Sequence, residues 1–259
     1  MLQFDAETTK ILEAAYAGAD FTQRRRMAFD ALNPAPGDHI ADIGCGNGTL
    51  LSELARTVGP DGLVIGVDPS RDMTDAARVR CAGMEQVRFE QGDTSALPLE
   101  DASVDKAVSL QVFEYIADVV PALTEIARIL RPGGRFVIAD LHFDTWVWHS
   151  DHPERMQVMM RDWGNHAAHW DLPQHLPGYL DEAGFEVDRV TPFTVVDHVM
   201  RADGYGALMI PLMSQYARQS GDISDAEIAD WAAEQADLAR QGRFFFSITQ
   251  VVIAAAKRR

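Results

Sequence analysis

The chain has 259 residues, 47% of them apolar and 24% charged, with 23 Lys and Arg set against 39 Asp and Glu for a formal net charge of −16. That length and apolar share suit one large α/β domain, or a domain with a cap, able to bury a sizeable core. So acidic a surface repels phosphate backbones and argues against nucleic acid as a substrate or partner.

The first residues, Met1-Leu2-Gln3-Phe4-Asp5, lack the basic start and apolar core of a signal peptide. Segments 5–17 and 22–32 read as two helices, with Leu12, Ala15 and Tyr16 and then Met27, Ala28 and Leu32 at helical spacing. Arg24-Arg25-Arg26, like Lys257-Arg258-Arg259 at the other end, is too short for a nucleic-acid patch and reads as a solvated face; the second triplet reads as a charged tail. Asn33-Pro34-Ala35-Pro36-Gly37 stops the second helix, and a buried strand near 39–43 runs into Gly44-Cys45-Gly46-Asn47-Gly48. Leu50, Leu51, Leu54 and Ala55 then mark one face of a helix to about Val58. After the turn Gly59-Pro60-Asp61-Gly62, Leu63–Val67 forms a buried strand, and Ser70 is placed to cap the next helix. Strands are predicted at 87–91, 104–110 and 136–139, with a helix over about 118–130 before the turn Arg131-Pro132-Gly133-Gly134. This alternation predicts parallel β-α-β units with right-handed crossovers.

Beyond Asp140 the texture changes. Residues 141–176 hold six of the eight histidines and four of the five tryptophans, with no long strand evident. A helix from Leu176 to Ala183, a strand from Phe185 to Val190, two helices within 203–242 and a last strand from Phe244 to Ala255 follow. The two cysteines, Cys45 and Cys81, make no disulfide framework, which suggests a reducing compartment. No apolar run is long enough to span a bilayer. The expectation is a cytoplasmic protein without a membrane partner.

In an open parallel sheet, ligands sit beyond the carboxyl ends of the strands, where strand order reverses. The residues just after each strand are therefore the interesting ones. Glycines at 44, 46 and 48 give positive φ and close backbone approach, and the helix start behind them offers free N–H groups to a polar or anionic ligand end. A dinucleotide fingerprint requires glycine where this chain has Thr49, and no phosphate-loop motif is present. Asp68 follows the second strand, 24 residues beyond Gly44, where a carboxylate can accept both hydroxyls of a ribose; the plainer alternative is a helix cap. Asp93, after the third strand, suits an adenine amino group with the Thr94 N–H beside it, or else simply a turn.

Taken together, Asp42-Ile43-Gly44-Cys45-Gly46-Asn47-Gly48, Gly66-Val67-Asp68-Pro69-Ser70, Gln91-Gly92-Asp93-Thr94, Ser109-Leu110-Gln111-Val112-Phe113-Glu114-Tyr115 and Leu130–Phe136 resemble the ordered motifs of the class I S-adenosylmethionine (SAM) methyltransferases. The branch that looks closest is the small-molecule one that includes the ubiquinone and menaquinone biosynthesis methyltransferases. The resemblance covers about residues 36–140. It implies a Rossmann-like, seven-stranded, mostly parallel sheet with helices on both faces, the last strand antiparallel, and helical cap insertions. It implies SAM as cofactor and S-adenosylhomocysteine as product, bound by Asp42, Gly44, Cys45, Gly46, Asp68, Pro69, Met73, Asp93, Thr94 and Gln111. Asp42 and Gln111 would serve the methionine end, and Met73 would cover the adenine face. The [DNS]-P-P-[YFW] tetrapeptide of enzymes that methylate bases and amines of DNA is missing, which again points away from nucleic acid.

The whole chain is expected to be one domain, its cofactor core at about 36–140 and its cap built from about 1–33, 141–176 and 197–243. Methyl transfer from a sulfonium needs in-line placement and exclusion of water, with a base where the acceptor is protonated. His142 and His166 are the candidate bases, and Tyr115, Trp146 and His169 the candidate acceptor contacts; the alternative is that such residues are merely the cap's own core or surface. His149-x-x-His152 and His166-x-x-His169 have a spacing a metal can use, but no HExxH or cysteine pattern accompanies them, so no metal is assigned. The expected activity is O- or N-methylation of a small organic molecule by a monomer or homodimer. Carbon methylation of quinone type and SAM binding without transfer stay open, and a nicotinamide-dependent oxidoreductase is disfavoured by Thr49.

Overall fold

The computed structural model describes residues 18–259. The helix expected over 5–17, with Leu12, Ala15 and Tyr16, lies outside the described residues. Strands β1 (His39–Ile43), β2 (Leu63–Asp68), β3 (Val87–Gln91), β4 (Val104–Leu110), β5 (Leu130–Trp148), β6 (Phe185–Asp197) and β7 (Phe246–Lys257) form a single sheet in the order β3-β2-β1-β4-β5-β7-β6. The first five pair in parallel, whereas β7 runs antiparallel to both β5 and β6. The seven-stranded, mostly parallel sheet with an antiparallel last strand is thus the one anticipated.

Consecutive residues of the central strands enter opposite apolar layers. Ile40, Val64 and Val137 pack on one face with Leu51 and Leu54 of α2 (Thr49–Val58) and Ala28 and Leu32 of α1 (Ala19–Leu32). Ala41, Ile65 and Ile138 pack on the other with Leu123 and Ile126 of α4 (Val119–Ile129) and Leu172, Leu176 and Leu180 of α6 (Leu172–Glu182). Strands buried on both faces read as nearly continuous apolar runs, which is why β2 is plain in the sequence. Helix α3 (Arg71–Arg80) follows β2, and the Ser70 side chain accepts from the Met73 N–H at its start.

A third apolar layer is the cap. It joins α5 (Pro153–Gly164), α7 (Tyr205–Ser220) and α8 (Asp225–Arg240) around Trp146, Trp148, Trp163, Met209, Leu212 and Trp231. A capping box of Ser224 and Glu227 starts α8.

Two strands run further than the sequence pattern suggests. Strand β5 continues from the expected end near 139 to Trp148, because β7 offers it an antiparallel partner through Trp148 opposite Phe246. The register slips between His142 and Val147, so buried positions shift from Leu141 and Phe143 to Trp146 and Trp148. That one-residue change of phase breaks the alternation that would have revealed the strand. Strand β6 likewise extends to Asp197, and as an edge strand it tolerates Pro192.

Gly48, at the start of α2, has φ +75°, and a Cβ there would lie 2.8 Å from the Cβ of Ala77 in α3. Gly48→Ala combines left-handed strain with that overlap. We expect it to lower unfolding free energy by about 2 kcal/mol or more in chemical denaturation, against less than about 0.5 kcal/mol for a surface substitution such as Arg26→Lys.

Candidate active site

The order of strands reverses between β1 and β4, so a crevice opens at their carboxyl ends. There β1 ends in the glycine turn, with φ of +73°, +52° and +75° at Gly44, Gly46 and Gly48. The Gly44 and Cys45 N–H groups both donate to the Val67 carbonyl, at 2.7 and 3.1 Å, and pin the turn to the end of β2. Asp68 completes the tie: its Oδ2 accepts from the Gly46 N–H at 2.9 Å and its Oδ1 from the Ser70 N–H at 2.8 Å. A Cβ on Gly44 would fall 2.3 Å from Val112 Cγ2, whereas one on Gly46 would meet nothing within 4 Å. The turn is therefore packed on one side and open on the other.

A cavity of about 410 Å³ occupies this crevice. One half is lined by Asp42, Gly44, Cys45, Gly46, Asp68, Pro69, Met73, Asp93, Thr94 and Gln111. Asp42 is 2% exposed and its Oδ2 has no hydrogen-bond partner among the described residues. Burial, reinforced by the charge of Asp68, pushes the Asp42 carboxyl up to about 7. Burial also raises Asp68, against the pull of its two backbone donors. Asp93 is exposed and lowered by the Ser95 hydroxyl and N–H, which both donate to its Oδ1. Burial pushes the Cys45 thiol up, so it is not a thiolate at neutral pH.

The other half is apolar and aromatic, with Tyr115, Phe143, Trp163, His166, Tyr205 and Met209 in its wall. His166 is 2% exposed, and burial pushes its imidazole down to about 4. Its Nδ1 lies against the Trp163 carbonyl, an acceptor only, so Nδ1 carries the proton and Nε2 is the basic nitrogen. Tyr115 meets the His166 ring edge-on at 5.7 Å.

Three expected acceptor-side residues do not line this cavity. His142 faces Thr249 across the β5–β7 pairing, and its Nε2 is without a partner among the described residues. Trp146 is cap core, packed among Trp148, Trp170, Phe143 and Phe246. His169 is a loop fastener: its Nε2 donates to the carbonyls of Ile116 and Ala117 at 3.0 and 3.2 Å. The solvated reading of Arg24-Arg25-Arg26 is corrected as well. Arg24 and Arg25 are 2% and 8% exposed and line the cavity, and only Arg26 faces solvent. The sequence signal was helical spacing, which puts Phe21, Arg24, Arg25 and Ala28 on one face of α1. Among the described residues, no group of three or more His, Cys, Asp or Glu is placed to hold a metal ion. No helix among them is long and apolar enough to cross a membrane.

Residues 34–184, the sheet from β1 to the end of α6, match the model of a methyltransferase domain family. The chain belongs to that family. This methyltransferase-family chain is 34% identical over 236 residues to a 37.1 kDa protein of transposon TN4556 from Streptomyces fradiae, covering 89% of the chain and 66% of that protein. It is 37% identical over 168 residues to the O-methyltransferase cnsE of Penicillium expansum, covering 62% and 56%. With the demethylmenaquinone methyltransferase of Symbiobacterium thermophilum the figures are 39% over 105 residues, 39% and 42%. The methyltransferase-family chain thus spans from about two fifths to two thirds of the length of these relatives. Among solved structures, the YcgJ protein of Bacillus subtilis superposes with a TM-score of 0.62 at 18% identity, covering 92% of this chain and 99% of that one, which shows a shared fold.

The family is SAM-dependent, and the cavity fits that cofactor: the open side of Gly46 admits a backbone-hugging ligand, and the orphaned Asp42 Oδ2 offers an acceptor for its ammonium group. A cation held at Asp42 would require its ionised form, so such binding below about pH 7 would first expel the carboxyl proton. Calorimetric affinity for S-adenosylhomocysteine is expected to fall by up to about tenfold per pH unit below 7 and to level off above it. Asp42→Asn should bind more weakly and show little change between pH 5.5 and 7.5.

Proposed function

We propose that this protein transfers the methyl group of SAM to a hydroxyl oxygen of a small, largely apolar organic molecule. The observation that carries the proposal is His166: a neutral imidazole in the aromatic half of the cavity, with Nδ1 committed to the Trp163 carbonyl and Nε2 left unprotonated. SAM, when bound, supplies an electrophilic methyl on a sulfonium. The chain's own part is placement and proton removal. Asp42 holds the cofactor's ammonium, Asp68 accepts from its ribose while holding the turn, and Met73 and Thr94 border its base, with Asp93 as acceptor of the adenine amino group. The aromatic wall keeps water from the acceptor, and His166 Nε2 takes the hydroxyl proton as the C–O bond forms.

Oxygen is favoured over a cationic amine because no Asp or Glu lines the aromatic half, so only ring faces would offset the desolvation of a positive charge there. An O-methyltransferase among the relatives is in keeping with this. The net charge of −16 and the closed apolar wall disfavour nucleic acid and suit a small-molecule partner.

Radiolabel transfer from SAM to a panel of hydroxylated aromatic compounds tests the reading. His166→Ala is expected to lower turnover by about 10²–10⁴-fold, the usual contribution of a positioned base, with S-adenosylhomocysteine affinity changed less than threefold or so. Unchanged turnover would remove His166 as base. In a second assay Asp68→Ala should lose measurable calorimetric binding of S-adenosylhomocysteine, since it removes both the ribose acceptor and the Gly46 tie.

A further inference from the structure

Trp163 is a donor without an acceptor. It sits at the end of α5, is 4% exposed and lines the aromatic half of the cavity, and its indole Nε1 has no hydrogen-bond partner among the described residues. Other buried indoles are satisfied: Trp148 Nε1 donates to Gln235 Oε1 at 2.8 Å and Trp231 Nε1 to Met156 Sδ at 3.4 Å. Trp146 Nε1 is unbonded too, but that ring belongs to the cap core and not to the wall of this cavity. A buried N–H left unpaired is costly, so in a cavity wall it is normally paired by whatever fills the cavity.

Beside it stands a group of the opposite kind. The ring centroids of Trp163 and His166 are 4.0 Å apart with their planes inclined by 32°, and the Trp163 carbonyl fixes Nδ1 as the protonated nitrogen of His166. Two neighbouring rings of one wall therefore offer a group that only donates, Trp163 Nε1, and a group that only accepts, His166 Nε2. Tyr216 meets Trp163 edge-to-face at 5.5 Å and Phe143 meets His166 likewise at 5.8 Å, which holds both rings in place. Of the hydroxyls in the aromatic half, that of Tyr205 is engaged by Gln111 and Arg24, which leaves Tyr115 as the rival donor.

We infer that Trp163 is a specificity-determining residue whose indole N–H binds a carbonyl oxygen of the methyl acceptor, and that this acceptor is an enol or phenol with its hydroxyl beside a conjugated carbonyl. The inference deepens the reading of the cavity as a SAM-dependent O-methylation site and rests on it. Two arguments select a carbonyl. A second hydroxyl in its place would bring a proton of its own into an apolar wall with no further acceptor to take it, whereas a carbonyl only accepts. A conjugated carbonyl also shares the charge that builds as its hydroxyl is deprotonated, and an N–H on that oxygen stabilises the charge. The more acidic hydroxyl suits His166, which burial makes a weak base by pushing its imidazole down to about 4. The hydroxyl proton passes to His166 Nε2 as the O–CH3 bond forms, and the S–CH3 electron pair stays on sulfur.

Calorimetry on the full chain loaded with S-adenosylhomocysteine tests this with 3-hydroxychromone and 2-naphthol. The two probes are bicyclic and similar in size, both carry a hydroxyl, and only the first has a carbonyl beside it. The wild type is expected to bind 3-hydroxychromone about tenfold more tightly, the reach of one hydrogen bond made to an otherwise unpaired donor. Trp163→Phe keeps an aromatic ring without the N–H and should bring the two probes within about twofold. Trp163→3-benzothienylalanine puts sulfur where the N–H was and keeps the shape of the indole; it should do the same, and it covers the case in which the phenylalanine variant does not fold. In His166→Ala the preference should persist whatever the turnover, so failure of His166 as base and failure of this inference read out separately. Equal binding of the two probes by the wild type, binding of neither, or a preference that survives in both Trp163 variants overturns the proposal. So does a preference lost in Tyr115→Phe but kept in Trp163→Phe, which would give the carbonyl to the Tyr115 hydroxyl. A wild type that shows no heat with S-adenosylhomocysteine would instead sink the cofactor reading on which the inference rests.

Discussion

Asp68 is the joint on which the site depends. One carboxylate at the end of β2 accepts from the backbone of the glycine turn after β1 and from the backbone at the start of α3. The glycine turn, distant in sequence, is thereby held against the junction of β2 and α3. The same group also faces the cavity, so one residue both ties the turn and presents a carboxylate to the cavity. A carboxylate has enough lone pairs for both tasks, which a hydroxyl or amide does not. Its burial, and that of Asp42 next to it, stores unfavourable desolvation that a cationic ligand relieves.

The cavity joins two environments with different physics. On one side, backbone N–H groups and acids present a polar surface shaped by glycines. On the other, rings from β5, α5 and α7 form an apolar wall around one neutral imidazole. Methyl transfer from a sulfonium disperses positive charge as it proceeds, so a dry, apolar acceptor half is compatible with the reaction and strengthens whatever polar contacts remain there. The cap that provides these rings is anchored by the sheet itself. Strands β5 and β7 run past the core into the cap, where Trp148 stands opposite Phe246 and the Trp148 indole N–H donates to Gln235 of α8 at 2.8 Å.

Behind the polar half lies a buried cluster of Arg24, Gln111, Glu114, Asp140 and Gln250 that ties α1 to the ends of β4, β5 and β7. Networks of this kind fix geometry because any slip leaves a buried group unpaired. Here the network reaches the cavity wall through Arg24 and Gln111.

Much of this architecture is legible in the amino-acid chain itself. β1, β2, the glycine turn, Asp68 and the helices of the core announce themselves because central strands are largely apolar and because positive φ in a tight turn selects glycine, whereas β3, at the sheet edge, shows itself by alternation. Ser70 as a helix cap and the acids after each strand follow from local chemistry alone. What lies beyond reach depends on residues far apart in sequence. The length of β5 is hidden by a slip in register that only its pairing with β7 accommodates. Arg24 reads as solvated because a short arginine run on a helix normally is; its side chain instead bonds Gln250, 226 residues away. His142, His166 and His169 look alike as letters. Tertiary structure alone decided that one faces a strand, one fastens a loop and one stands in the cavity with its tautomer set by a carbonyl, because hydrogen-bond partners and desolvation are properties of a place and not of a residue type.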